Sequence, residues 1–247
     1  MASSVRIEVH AGAVPDRGSG DVVVVVDVIR SSTTAISGIV AGRRCFPVPT
    51  LEAAQEVAAR HPDALLVGEL GGRMPYGFDL DNSPALLTGQ TDVARAFVLL
   101  STSGTRVMHD SARGRRVSVA CLRNAAAQTR DLLHRGDSVV LVGAATRGEF
   151  REEDQLCCAW IAATLIQAGF EPVGMTTDIV RRWSGSPVEA ILVSKSCRYL
   201  ADVGRSDDLA FVLSHVDDVD DVFEVQGPEL VPVGRATTAQ DRLRVAG

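Results

Sequence analysis

Aromatic residues make up only 4% of the chain, too few for the stacked-ring platforms on which single-stranded nucleic acids lie. A basic surplus is missing as well: 25 Lys and Arg stand against 31 Asp and Glu, a formal net charge of −6. Nothing general draws such a protein to a phosphate backbone. If it handles an anion, it must gather positive charge locally or recruit a divalent metal. No apolar run is long enough to span a bilayer, and MASSVRIEVH enters a strand at once, without the apolar stretch of a secretory leader. A cytoplasmic location is therefore expected. The cysteines, at positions 45, 121, 157, 158 and 197, are odd in number and lack paired metal-ligand spacing, and the histidines are scattered. Reduced core thiols are expected, and a zinc site is not. Low-complexity linkers and repeats are also absent, so residues 1–247 read as a single α/β domain, or as two lobes sharing one sheet.

What the chain does have is a concentration of valine. Val22 to Val26 form an unbroken β-branched run that reads as a central strand covered on both faces. Asp27 stands at its carboxyl end, followed by Arg30 and the hydroxyl cluster Ser31, Ser32 and Thr33. Thr33 to Arg44 carries apolar residues at helical spacing, with Gly42 near its close, so a helix is entered through that cluster. In open α/β sheets ligands bind beyond the carboxyl ends of strands, where helix N-termini offer free N–H groups to anions. A phosphate or sulfonate is the first ligand class to consider. Taken alone, the hydroxyls read better as the caps of an ordinary helix; Asp27 with Arg30, a residue suited to an oxyanion, on the same tight connection brings the two readings level.

The pattern recurs along the chain. Strands are expected at Cys45–Val48, Ala64–Glu69, Ala96–Leu100, Arg116–Ala120 and Ser138–Val142, several ending in a polar, often glycine-bearing loop before helix-forming sequence. This predicts an α/β fold with a mostly parallel or mixed sheet, helices on both faces, and the active site at the carboxyl ends of the strands. A buried helix is expected over Asp154–Ala168, a long helix over Ser186–Val203, and a shorter one at DDLAFVLSHV. The acidic run Asp217 to Asp221 is expected to face solvent, and VFEVQGPELVPVG to give one or two strands.

In order, the polar loops contain Asp27-Val-Ile-Arg30, Gly68-Glu69, Gly77-Phe-Asp79-Leu-Asp-Asn82-Ser83-Pro84, Ser101-Thr102-Ser103-Gly104-Thr105, Asn124, and an acidic block ending in Glu153-Asp154. Their order and wording resemble the 2-phosphosulfolactate phosphatase family over roughly residues 5 to 235, on several separated motifs. The resemblance implies a Mg²⁺-dependent phosphatase that converts 2-phospho-3-sulfolactate to 3-sulfolactate and phosphate. The chain departs from the family wording at Ser103, where Asn is usual, at Thr146-Arg147-Gly148 before the acidic block, and at Glu152, a position commonly apolar.

The chemistry of the residues points the same way. Hydrolysing a phosphate monoester requires neutralising the equatorial oxygens, aligning a nucleophile and stabilising the leaving alkoxide. The expected catalytic residues are Asp27, Glu153 and Asp154, and the expected Mg²⁺ ligands are Asp27, Glu69, Asp79 and Asp154. Substrate contacts are expected from Arg30, Ser31, Ser32, Thr33, Asn82, Ser83, Thr102, Gly104, Thr105, Asn124 and Arg147, with Arg123 a further cation on these loops. Metal-activated hydroxide can attack phosphorus, or Asp27 can form an aspartyl-phosphate; the missing Asp-Xaa-Asp pair at the strand end leans toward the first. Cys121 is expected to be a core thiol. The expected partner is a small anionic substrate, with no nucleic acid and no membrane; a homodimer is left open. Two rivals stand: a phosphatase for another small phospho acid in a specialised biosynthetic pathway, and a non-catalytic binder of phosphorylated or sulfonated metabolites.

Overall fold

The computed structural model describes residues 3–9, 21–112, 116–145 and 148–235. Within it, β1 (Ser4–Val9), β2 (Val22–Val26), β6 (Val117–Ala120), β7 (Val139–Gly143) and β8 (Glu171–Gly174) form one parallel block, in the order β6-β2-β7-β1-β8. A second parallel block holds β3 (Cys45–Val48), β4 (Leu65–Gly68) and β5 (Phe97–Leu100), in the order β4-β5-β3. The antiparallel hairpin of β9 (Asp221–Gln226) and β10 (Glu229–Arg235) joins them, β10 pairing with β3 and β9 with β6. Among the described residues, all ten strands thus belong to one mixed sheet.

The valine run forms the centre of the first block because both of its faces are covered. Val22, Val24 and Val26 enter one core cluster, Val23 and Val25 another, as the two-residue period of a strand demands. The first cluster takes in α6 (Glu152–Gln167), whose side chains are buried on nearly every side. The second is shared: Ala35 and Ile36 of α1 (Ser31–Val40) and Val107 and Met108 of α4 (Gly104–Ser111) pack against strands of both blocks. Tracing the pairings across the hairpin gives the two blocks opposite senses. Accumulated strand twist and the two shared helices nevertheless bring the ends of β2, β4 and β5 to one place.

The expected helix over Ser186–Val203 is interrupted. A 3₁₀ segment, Val188–Val193, ends at Ser194, whose extended backbone starts α8 (Lys195–Asp202) and whose hydroxyl accepts the Cys197 N–H at 3.1 Å. The acidic run is also not simply solvated. Asp217 accepts the Ala126 N–H at 2.7 Å at the start of α5 (Ala125–Arg135), Asp218 pairs with buried Arg123 at 2.6 Å, and Asp220 pairs with Arg130 at 2.8 Å. All five cysteines are buried and unpaired, as expected. Among the described residues no helix is long and apolar enough to cross a membrane.

Helix α1 reaches the second block because Gly38 has no side chain: a Cβ there would lie 2.5 Å from the ring of buried Phe97 and 2.9 Å from Leu87. In an open helix Gly→Ala stabilises by about 1 kcal/mol. Here the overpacking dominates, and Gly38→Ala should destabilise by about 1–3 kcal/mol, read as a lower thermal midpoint; a raised midpoint would refute this account of the seam.

Candidate active site

Beyond β2 the chain folds back on Asp27. Ser31 donates its hydroxyl to Asp27 Oδ2 at 2.7 Å and its N–H to Oδ1 at 3.3 Å. The Asp27 N–H donates to Ser32 Oγ at 3.1 Å, and the Thr33 hydroxyl to the Val28 carbonyl at 2.7 Å. The hydroxyl cluster is therefore spent on shaping the loop. All three residues are buried and none lines the cavity that Asp27 faces.

A second wall comes from the ends of β4 and β5. The Glu69 carboxylate accepts the Thr102 N–H, the Thr102 hydroxyl and the Gly72 N–H, each at 2.7 Å. The two loops meet at Gly104, where a Cβ would lie 1.9 Å from Ser31 Oγ and 2.2 Å from Asp27 Oδ2. Only glycine lets the β5–α4 turn press directly on the Asp27 carboxylate. Between the walls lies a cavity of about 260 Å³, lined by Asp27, Arg30, Glu69, Asn82, Thr102 and Ser103 together with Arg151, Lys195, Ser196 and Tyr199. Tyr199 of α8 donates its hydroxyl to the Gly72 carbonyl at 2.6 Å, tying this side of the cavity to the Glu69 loop. A wider groove of about 760 Å³, between α5, α6 and residues 184–187, contains none of these loops.

The electrostatics centre on Asp27, which is only 7% exposed. Burial pushes its carboxyl up from the usual 3.8 to about 6, the Ser31 hydroxyl opposing and the Glu69 charge adding. In the first turn of α6, Glu153 and Asp154 are also buried. Burial raises both, and Asp154 lies well above the ordinary carboxylate range, raised further by the charges of Asp27 and Glu153. Asp154 Oδ1 accepts the Val28 N–H at 2.8 Å. Neither acid lines the cavity; Asp154 holds the Asp27 loop from behind.

Several expected residues have other tasks. Asp79 is exposed and its carboxylate accepts the Leu66 N–H at 2.8 Å, partway along β4, so it stands apart from the other acids. Ser83 caps α3 (Pro84–Thr88) and donates to Asp208. Thr105 bonds back to Ser101, and Asn124 closes its own turn onto Cys121 and Val119. Arg30 does line the cavity, but its guanidinium is held by Asp208 at 2.6 Å and Asp81 at 3.3 Å. Arg123 is committed to Asp218 and to Ser37. Arg147 falls outside the described residues. Burial pushes the Cys121 thiol up to about 11, consistent with a core role. Sequence reasoning missed Arg151, Lys195, Ser196 and Tyr199; the one available signal was that Lys195 is the chain's single lysine.

A buried acid at a strand end, a glycine-docked hydroxyl loop and a small cavity that is also lined by cations make this the candidate site for a small anion. Comparison with known proteins agrees. The family model described as 2-phosphosulpholactate phosphatase matches residues 10–228, and the chain belongs to that family. It is accordingly a phosphoric monoester hydrolase. A Deinococcus radiodurans protein is 36% identical over 203 residues, covering 80% of this chain and 85% of its own length. A Thermus thermophilus protein is 34% identical over 199 residues (77% and 82%), and one from Symbiobacterium thermophilum 32% identical over 203 (78% and 86%). Each bears the name probable 2-phosphosulfolactate phosphatase.

The raised carboxyl of Asp27 sets a pH dependence of stability. Below pH 3.8 the group is protonated in both folded and unfolded chains; between 3.8 and about 6 the unfolded chain loses its proton first. Stability therefore declines through that window, and the full penalty, about 3 kcal/mol, is present above pH 6. Asp27→Asn has no such penalty. In chelator at pH 8 its thermal midpoint should exceed that of the parent by several degrees, the difference shrinking by pH 4.5; a variant less stable than the parent at pH 8 would contradict this.

Proposed function

We propose that the chain hydrolyses the phosphate monoester of a small anionic 2-hydroxy acid, with 2-phospho-3-sulfolactate as substrate and Mg²⁺ as cofactor. The observation that carries this reading is the Asp27 carboxylate: buried, fixed in two bonds by Ser31, and opening onto a cavity of about 260 Å³ opposite Glu69. With a carboxyl near 6, Asp27 is mostly ionised at neutral pH. It supports direct attack on phosphorus or the orientation of a water molecule for that attack.

The residues present fit Mg²⁺. Among the described residues no three Asp, Glu, His or Cys side chains form a ready-made metal cage. Mg²⁺ does not need one, since it binds through one or two carboxylates, the substrate phosphate and retained water. Asp27 and Glu69 offer those carboxylates, and Asn82 adds a buried side-chain oxygen without a hydrogen-bond partner. When bound there, the ion would supply charge neutralisation at the phosphate. The Thr102 and Gly72 donors keep Glu69 in place, and α4, docked through Gly104, directs its N-terminus toward the same loops.

Phosphate release from 2-phospho-3-sulfolactate should disappear in chelator and return with Mg²⁺. Asp27→Asn should lower kcat/KM by about 10³ or more, a barrier increase of roughly 4 kcal/mol, with the fold intact. Full activity in chelator removes the metal from the mechanism, and an undiminished Asp27→Asn removes the residue. Borohydride added during turnover reduces an acyl phosphate, so conversion of Asp27 to homoserine marks a covalent intermediate, whereas Asp27 left unmodified during turnover marks direct attack by water.

A further inference from the structure

We propose that Lys195 and Arg151 form the subsite for the sulfonate of the substrate, one of its two acid groups that are not transferred, and that Glu149 holds its place when no ligand is bound. The inference rests on the phosphatase reading above and extends it to two further residues of the same cavity.

The argument begins with the charges. Among the described residues lining the cavity, the Lys and Arg side chains are Arg30, Arg151 and Lys195. Arg30 is not available: it and Arg205 are matched by Asp81 and Asp208, two cations against two anions. The other two share one carboxylate. Lys195 Nζ lies 2.7 Å and Arg151 Nη1 2.8 Å from the same oxygen, Glu149 Oε2. That cluster carries one positive charge more than it neutralises, and its two cations line the same cavity as Asp27 and Glu69.

The geometry of the donors completes the case. A guanidinium and an ammonium converging on one oxygen form a binding arrangement for an oxyanion, and the Glu149 carboxylate shows the group they accept. Arg151 also has a buried Nε with no hydrogen-bond partner. Glu149 and Lys195 are more than half exposed, at 53% and 57%, so neither is fixed by packing. A substrate anchored through its phosphate beside Asp27 brings its sulfonate toward Lys195 and Arg151, which line the same cavity and whose present partner, Glu149, is not part of that lining. Ser196, next to Lys195 and on the same wall, adds a hydroxyl. A sulfonate, with three acceptor oxygens, can engage all three residues, whereas a carboxylate has two.

The test is calorimetric titration, with Mg²⁺ present, of 3-sulfolactate and of lactate, which keeps the carboxylate but lacks the sulfonate. The proteins are the parent, Lys195→Met, Lys195→Arg and Glu149→Gln. The parent should prefer 3-sulfolactate; Lys195→Met should reduce that preference by about tenfold, and Lys195→Arg should restore most of it. Glu149→Gln should bind 3-sulfolactate about threefold tighter or better, because the competitor has lost its charge. A merely structural surface ion pair predicts no such opposite movement of its two partners. The subsite is overturned if Lys195→Met keeps the parent preference, if Glu149→Gln binds more weakly, or if the parent shows no 3-sulfolactate binding. If both ligands weaken equally in Lys195→Met, the lysine reads the carboxylate and the assignment to the sulfonate fails. Failure of the phosphatase reading looks different: 3-sulfolactate binds with the expected pattern, but no phosphate is released from its phosphate ester.

Discussion

A carboxylate kept out of water at the end of β2 is the constraint on which the rest of the site depends. An isolated buried charge is costly, and a protein retains one only where fixed donors compensate it. Ser31 supplies two donors from the first turn of α1, its hydroxyl and its backbone N–H. Asp154 secures the backbone from the other side by accepting the Val28 N–H. Its own burial and its neighbouring acids favour the protonated form, which limits the repulsion that three close carboxylates would otherwise generate. The compensation is partial, and the Asp27 carboxyl stays raised to about 6.

How much of this could be read in the sequence depended on distance along the chain. The valine strand, the hydroxyl-bearing loop, the buried helix beginning at Glu152 and the mixed α/β class follow from local composition and period, and the structure contains them. Asp27 and Glu69 were likewise marked by their positions at strand ends. Their roles relative to one another were less legible. Ser31, Ser32 and Thr33 read equally well as anion ligands or as loop fasteners, and only the atoms they reach decide for the second. Asp79 shows the same limit. In sequence it is an acid in a loop between acids, yet its partner is a backbone N–H of β4.

What sequence could not supply were pairings across long separations. Arg30 looked free to meet a substrate because the anion that engages it, Asp208, lies 178 residues away. Lys195 was hidden for a different reason. Apolar periodicity over Ser186–Val203 suggests one continuous helix, and in that reading Lys195 would sit in the middle of it. The break at Ser194 instead makes Lys195 the first residue of a new helix, directed at the cavity. A change of backbone at one serine thus separates a solvated surface charge from part of the cavity wall.

The hairpin of β9 and β10 has a consequence for how the molecule is made. Every strand of the two parallel blocks precedes it in the chain, yet it lies between them, pairing with β3 on one side and β6 on the other. During synthesis, which delivers the N-terminal part first, both blocks can form while the inner edges of β3 and β6 still lack their permanent partners. Unpaired edges of this kind are templates for pairing with other chains, and the contacts that close them have high sequence separation and form slowly. The nascent protein is therefore most exposed to misassociation in the interval before residues 221–235 emerge. The hairpin acts as the closing seam of the sheet.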